Sequence, residues 1–410
     1  MESEGAIDFS DLLLVAVRKM ADGEMSPLPI RWLLVDEAQD MDEVQIEWVL
    51  LHGRAGVEVT LVGDDDQSLY AFRHALGYTG LREVTFALSA TETTLPVNYR
   101  CAPNILAHAA KLIAHNRDRA PKKIAAHKQV PGEIRVLRAP DRWAEAGHIA
   151  ETIEKYGAGE TWAILGRTNL ILDAAELALA NMDLPYVRAG GKSVWEHSLG
   201  SVFAGLLRSV HDDSWTGIAN ALSYCGVQAD WINNHSRRTS GGCAVRFDSA
   251  LERVPDDGAR KILLRLRTGF ASWRDQARKG RPALVVHGIA GFLADYCKPN
   301  QLSLLRKLEA SIVKMPGTFA QRLSVLGCSN PSHQRPAIQI MTLHASKGLE
   351  FDNVWIMGCE DGNLPHTDST EEDERRLLYV GMTRARHRLI LSSAIEEGME
   401  SRFLEEAGIA

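Results

Sequence analysis

Apolar positions in the first hundred residues fall alternately at helical spacing and in short unbroken runs. From Asp8 to Met20, Leu12, Leu13, Ala16 and Val17 recur at helical intervals, and Asp8-x-x-Asp11 is spaced to cap the start. Residues 30–35 form a nearly continuous apolar run ending in acids, the pattern of a strand buried on both faces of a parallel sheet. Residues 44–51 return to helical spacing. Residues 57–62 read as a second buried strand, closing on Gly63-Asp64-Asp65-Asp66. After Pro103 a helix is expected with Ile105, Leu106, Ala109, Leu112 and Ile113 on one face. Further strands are expected at 134–137, 162–165, 338–342, 354–357 and 389–391, while roughly 200–335 is mostly helical in texture. Such alternation predicts an α/β fold with a helical insertion splitting a second α/β domain.

Composition narrows the class. The 410 residues exceed one ordinary core and imply two or three domains. With 45% apolar and 24% charged residues the chain reads as globular and not disordered. A balance of 46 Lys+Arg against 53 Asp+Glu, −7 in all, excludes a whole-chain polycation, so any nucleic-acid contact must be local. One such locality is 231–282, where twelve basic residues meet five acidic ones. A phosphate-gripping surface and an ordinary solvated helical face are equal readings of it. No apolar run approaches the ~18 residues that span a bilayer, and the first residues lack a signal-peptide pattern. The six cysteines are scattered with no C-x-x-C pair, which argues against a disulfide framework, zinc site or iron–sulfur cluster. A reduced, cytoplasmic setting is expected, with no membrane partner.

Chemistry concentrates at the predicted strand ends. Leu33-Leu34-Val35-Asp36-Glu37-Ala38-Gln39-Asp40 puts two acids at the C-terminal edge of a parallel strand, where ligands of open sheets bind. Adjacent acids there suit nucleotide hydrolysis, one holding Mg²⁺ and the next orienting or deprotonating the attacking water. A solvated loop is the plainer explanation of a bare Asp-Glu pair. The second strand end, Gly63-Asp64-Asp65-Asp66-Gln67-Ser68-Leu69-Tyr70-Ala71-Phe72-Arg73, adds a glutamine able to sense phosphate or water. Tyr70, Phe72 and Arg73 interleave aromatic faces with a cation, as in platforms for unpaired bases, although an isolated aromatic pair is more often core. Leu95-Pro96-Val97-Asn98-Tyr99-Arg100 is a third polar and aromatic strand end.

These three segments resemble motifs II, III and IV of the UvrD/Rep/PcrA family of superfamily 1 DNA helicases. Further blocks agree in order. Ala163-Ile164-Leu165-Gly166-Arg167-Thr168-Asn169 is similar to motif IVa. Met341-Thr342-Leu343-His344-Ala345-Ser346-Lys347-Gly348-Leu349-Glu350-Phe351, followed by Leu364-Pro365-His366, is similar to motif V. Glu374-Arg375-Arg376-Leu377-Leu378-Tyr379-Val380-Gly381-Met382-Thr383-Arg384-Ala385 is similar to motif VI, and even Asp8-Phe9-Ser10-Asp11-Leu12-Leu13 resembles the stretch before motif II. The resemblance implies that Asp36 binds Mg²⁺, Glu37 is the catalytic base, and Gln67 couples nucleotide state to DNA. It further implies that Tyr99 stacks on adenine, Glu350 contacts ribose, and Arg100 and Arg384 reach the γ-phosphate. Tyr70, Phe72, Arg73, Arg167, Asn169, His344 and His366 would lie along single-stranded DNA. Phe72 stands where the family has Trp, which weakens stacking, and His74 where it has Gly, which bears on loop geometry. Taken alone, Arg384 would be read as a salt bridge to the acidic run 371–374.

The family's phosphate-binding loop, G-x-x-x-x-G-K-[ST], is not found in these residues. Gly190-Gly191-Lys192-Ser193 is a decoy: Tyr186 occupies the position of the first glycine, and the run is better read as a turn after a strand. The resemblance then implies a partial RecA-like parallel-sheet domain at 1–104 and a second RecA-like domain at 105–200 and 336–410. A helical insertion would fill 201–335. ATP and Mg²⁺ are the implied cofactors, and single-stranded DNA and single–double-strand junctions the implied partners. A second polypeptide could supply the missing loop. Turnover by this chain alone is expected to be absent or very weak, and an uncovered apolar face or open strand edge is expected on the first domain. A non-catalytic DNA-binding or regulatory subunit derived from a helicase is the competing expectation.

Overall fold

The computed structural model describes residues 8–70, 73–157, 159–190, 195, 198–314, 318–325 and 338–409. The described chain opens with helix α1 (Phe9–Ala21), whose first turn is capped by the Asp8 carboxylate accepting the Asp11 N–H at 2.7 Å. Strand β1 (Trp32–Val35) leads through Asp36 and Glu37 into helix α2 (Glu43–Arg54), which Asp42 and Gln45 start with a reciprocal capping box. Strand β2 (Glu58–Leu61) pairs in parallel with β1. Helix α3 (Gly77–Ala87), short strand β3 (Val97–Asn98) and helix α4 (Pro103–Ile113) follow, and β3 pairs with β4 (Ala125–Ala126).

Next come β5 (Glu133–Ala139), α5 (Arg142–Tyr156), β6 (Trp162–Gly166), α6 (Asn169–Asn181) and β7 (Tyr186–Arg188). Eight helices then succeed one another among the described residues: α7 (Ser198–Asp212), α8 (Thr216–Tyr224), α9 (Ala229–Arg238), α10 (Cys243–Glu252), α11 (Asp257–Arg278), α12 (Pro282–Ala294), α13 (Leu302–Lys314) and α14 (Phe319–Val325). The chain closes with β8 (Ile338–Thr342), β9 (Phe351–Ile356), α15 (Glu371–Met382), β10 (Ala385–Ala394) and α16 (Arg402–Glu406). The main sheet runs β5-β10-β9-β6-β8-β7, and the registered pairs are parallel. A mixed α/β protein with parallel sheets is therefore what the alternation foretold.

Two compact units divide the chain: residues 1–145, 160–168 and 341–410, and residues 146–159 and 169–340. In the first, every residue of β6 is buried, as an unbroken apolar run requires in a sheet covered on both faces. Under β1 and β2, Leu33, Val35, Val59 and Leu61 pack on a core of Ile46, Val49, Leu50 and Val84. The outer face of this pair differs from the expectation that both strands are buried on both faces. Trp32 is 59% and Leu34 75% exposed, and Val62 just beyond β2 is exposed as well. An apolar run records what a strand can tolerate, not which neighbours cover it. The uncovered apolar face expected on this domain is present.

In the second unit several helices bury an apolar stripe. Leu263, Leu266, Phe270 and Trp273 of α11 form one such stripe, and its cations lie outside it. Much of the local basic excess is balanced by ion pairs, Arg265 with Asp295, Arg267 with Asp248 and Arg274 with Asp213, while Arg237 and Arg238 are exposed at the end of α9. No described helix is long and apolar enough to cross a membrane.

Candidate nucleotide and nucleic-acid site

Asp36 and Glu37 follow β1 directly and are both exposed. Glu37 sits in the left-handed region at φ 52°, which turns the chain sharply into a short 3-10 helix (Ala38–Asp40). Asp36 Oδ1 accepts the Glu37 N–H at 2.9 Å. Buried Gln39 is the joint between the first two strand ends: its amide nitrogen donates to Glu37 Oε2, and its Oε1 accepts the Asp64 N–H at 3.0 Å. Gly63 makes that approach feasible, since a Cβ there would stand 2.6 Å from Gln39 Oε1.

Lys347 reaches this loop from the other end of the first unit's sequence. Its ammonium pairs with Asp40, lies 3.5 Å from Glu37 Oε2, donates to the Gln67 carbonyl at 2.9 Å, and stands 5.2 Å from the Tyr70 ring centroid. Burial pushes the Asp40 carboxyl pKa up against the opposing pull of Lys347. Its Oδ1 is buried with no hydrogen-bond partner.

The triplet Asp64-Asp65-Asp66 caps and forms the 3-10 turn Asp65–Gln67. Asp65 and Asp66 are buried, which is costly for carboxylates unless paired. Lys122 contacts all three, and Arg119 grips Asp66 bidentately at 2.9 and 2.7 Å. Burial disfavours the charge on Lys122, but the aspartates outweigh it and raise its pKa. Burial likewise pushes Asp66 up, and Arg119 with Lys122 brings it below the ordinary range. Asp64 also accepts the Gln67 amide N–H at 2.6 Å, which turns Gln67 Oε1 toward Arg384 Nη2, 3.0 Å away.

Arg384 is 1% exposed at the end of α15. Its acceptors are all neutral: the Val380 and Leu349 carbonyls, Gln67 Oε1 and the Thr383 hydroxyl. The salt bridge to residues 371–374 that its isolated sequence would suggest is not formed. Desolvation, reinforced by Arg100, pushes its pKa down to about 10. Arg100 itself donates through Nε to Glu350 at 2.9 Å, and Arg386 pairs with the same carboxylate. Hydrogen bonds from Arg100 and Arg386 hold Glu350 below the usual carboxylate range. Asn98 Oδ1 anchors the turn by accepting the N–H groups of Arg100 and Cys101. Tyr99 is 67% exposed with its ring 4.8 Å from His127. Gln67, Arg100, Glu350 and Arg384 are thus brought into one hydrogen-bonded neighbourhood, with Asp36 and Glu37 on the adjoining loop.

A second cluster gathers around Glu374. Arg167 donates to both its oxygens, and the His366 N–H reaches Oε2 at 3.1 Å. Burial and then the charge of Arg167 lower the pKa of neighbouring His344. Tyr70 and Arg73 form a cation–π pair at 5.5 Å. His74, where the family has glycine, adopts φ 65°, the conformation glycine favours. Phe72 and the stretch Gly191-Lys192-Ser193 lie outside the described residues. Asn169 belongs to the second unit, where its carbonyl accepts Arg188 Nη2 at 2.8 Å. Sequence reading missed Lys347, Arg119, Lys122 and Glu374 as site neighbours. Lys347 and Glu374 lay inside quoted motifs, and no local pattern marks Arg119 or Lys122.

For a divalent cation, Asp36 offers an exposed carboxylate, and Mg²⁺ is commonly held by one or two such groups plus phosphate and water. Among the described residues no group of three or more His, Cys, Asp or Glu could hold a metal unaided. These donors fit a cation carried by a nucleotide, not a self-sufficient metal centre.

Parallel sheets with polar strand ends of this kind make the chain an α/β protein of the RecA-like type. Comparison with known families matches residues 1–80 to the UvrD/REP helicase N-terminal domain and residues 93–199 and 321–396 to the UvrD-like helicase C-terminal domain. Relatives include DNA helicase II of Haemophilus influenzae, 27% identical across 98% of this chain and 62% of its own length. ATP-dependent DNA helicase Rep of Escherichia coli is 30% identical across 93% and 63%, and ATP-dependent DNA helicase UvrD1 of Mycobacterium tuberculosis 28% across 99% and 62%. The chain belongs to the UvrD-like helicase family, and it spans a little over three fifths of the length of these relatives.

Proposed function

We propose that the chain is a cytoplasmic UvrD-like helicase polypeptide that works in coupling ATP hydrolysis to 3′→5′ movement on single-stranded DNA. Residues 105–200 and 336–410 would form its second RecA-like domain and 201–335 the insertion. The observation that carries the reading is the bond between Gln67 Oε1 and Arg384 Nη2, beside the Arg100–Glu350 pair. The first joins the segments resembling motifs III and VI and the second those resembling IV and V, four stretches that a shared task at a phosphate would bring together.

Asp36 would hold the Mg²⁺ of a bound ATP, which would supply the terminal phosphoanhydride. Glu37 accepts the proton of the water that attacks phosphorus as the bond to the β-phosphate oxygen breaks. Arg100 and Arg384 brace the γ-phosphate oxygens. A buried guanidinium whose acceptors are all neutral retains its full charge for that anion. Tyr99 stacks on the base and Glu350 holds the ribose. Gln67, bonded to Arg384 on one side and Asp64 on the other, relays phosphate occupancy to Tyr70 and Arg73. Tyr70, Phe72, Arg73, Arg167, Asn169, His344 and His366 follow the strand up to a single–double-strand junction.

Without a phosphate-cradling loop in these residues, the 410-residue polypeptide alone should turn over ATP very weakly, and a polypeptide carrying that loop is the expected partner. Steady-state ATPase measured with and without oligo(dT), alongside oligo(dT) binding by anisotropy, tests both halves. Salt-sensitive binding without turnover is expected. Robust DNA-stimulated turnover would contradict the reading of the phosphate site, and absence of binding would contradict the DNA role.

A further inference from the structure

Glu374 has no part in the reading above, yet three residues assigned there to DNA lie around it. It stands in the first turn of α15 with its side chain 2% exposed. Arg167 Nε donates to its two oxygens at 3.0 and 3.1 Å, and Nη2 approaches Oε1 at 2.9 Å. The same Nη2 reaches Ser369 Oγ at 3.2 Å, and the His366 N–H donates to Glu374 Oε2 at 3.1 Å. His344 lies close enough to feel both charges.

A guanidinium fork fits a carboxylate and a phosphate by the same planar, charge-assisted geometry. Resting on the single-stranded DNA reading, we propose that Glu374 is a built-in competitor for phosphate, its carboxylate filling the Arg167 fork that a DNA phosphate would otherwise take. Two consequences follow from charge alone. Arg167 presents a neutralised pair to an arriving strand, although its side chain retains 17% exposure through which a phosphate can approach. Full engagement of the backbone requires the Arg167–Glu374 pair to open or share its donors. Affinity is thereby held below what the cations here could deliver, which suits a protein that must release each phosphate as it advances.

Binding of fluorescein-labelled oligo(dT) to the full chain across a NaCl series tests this, with wild type, Glu374→Gln, and Glu374→Gln combined with Arg167→Gln. Glu374→Gln should bind about fivefold to tenfold tighter at low salt, the effect of unmasking one nearby unit charge. Its log K against log[salt] should steepen by about 0.7, one more phosphate neutralised on a single strand. The double variant should return to within about twofold of wild type, an outcome a purely structural role for Glu374 does not produce. A folded Glu374→Gln that binds no tighter than wild type overturns the inference while leaving the DNA reading intact. If that variant does not fold, Glu374→Asp, too short to span both Arg167 nitrogens, carries the same test: tighter binding supports, equal or weaker binding overturns. No binding by any variant or by wild type would overturn the DNA reading itself and this inference with it.

Discussion

Arg142 and Arg384 both lie inside the first unit, but only Arg142 bonds to carboxylates. Arg142 pairs with Glu145 and Glu360, whose remaining oxygens accept the Gly358 and Ala394 N–H groups and the Ser392 hydroxyl. Removing it strands two buried anions, so Arg142→Met should lower unfolding free energy by about 3–5 kcal/mol. Arg384 bonds only to neutral acceptors, and Arg384→Met should cost about 1–2 kcal/mol. Paired denaturant melts check the contrast; equal losses would mean that Arg384 is chiefly structural. His344 supplies a pH test. Burial and Arg167 lower its folded pKa from 6.5, so the unfolded chain binds its proton more readily, and stability is lost as pH falls below that value. His344→Gln should therefore lose less stability than wild type between pH 7.5 and 5.5. At this scale the sequence made legible those residues whose chemistry is announced by a strand end, such as Asp36, Glu37, Gln67 and Arg100. Arg119 and Lys122 were not legible, because nothing near them in sequence marks the cations that the buried Asp65 and Asp66, far earlier in the chain, require.

Elements were read well wherever spacing alone determines them. The 3.6-residue period of α4 and the apolar runs of β6 and β8 gave their places closely, whereas 389–391 marked only the middle of β10. The two-sided burial expected of β1 and β2 failed because a run of apolar residues is silent about what packs on it. Short β3 and β4, two residues each, carry too little pattern to be seen. What fixes the turn after β2 is a tertiary clamp: Lys122 and Arg119, from the segment beyond α4, hold the aspartates of the Asp65–Gln67 turn. Lys122→Met should destabilise the first unit by about 3–5 kcal/mol by leaving carboxylates buried without their cation. Lys122→Arg should recover most of that loss if charge is the cause. No recovery in guanidinium melts would mean that the ammonium's size and position, not its charge, hold the turn.

For the whole molecule, the apolar outer face of the β1–β2 pair is the feature with the most direct solution consequence. Trp32 and Leu34 project from it into solvent, and contiguous exposed apolar surface favours association. The chain should bind a hydrophobic dye and show concentration-dependent self-association in sedimentation. Trp32→Ser with Leu34→Lys should reduce both without lowering stability, since neither side chain is buried. A monodisperse wild-type monomer that ignores the dye would refute this. The proposed nucleotide site poses a question of the same scale: Gln67, Arg100 and Arg384 share one hydrogen-bonded neighbourhood beside the Asp36–Glu37 loop, while the G-x-x-x-x-G-K-[ST] pattern is not found in these residues. Titration calorimetry of the purified 410-residue chain with Mg²⁺ and a non-hydrolysable ATP analogue, with and without oligo(dT), addresses that question most directly. Heats that do not saturate at millimolar analogue are expected in both conditions; a stoichiometric isotherm with micromolar or tighter affinity would show that these residues cradle the triphosphate unaided and would contradict the account.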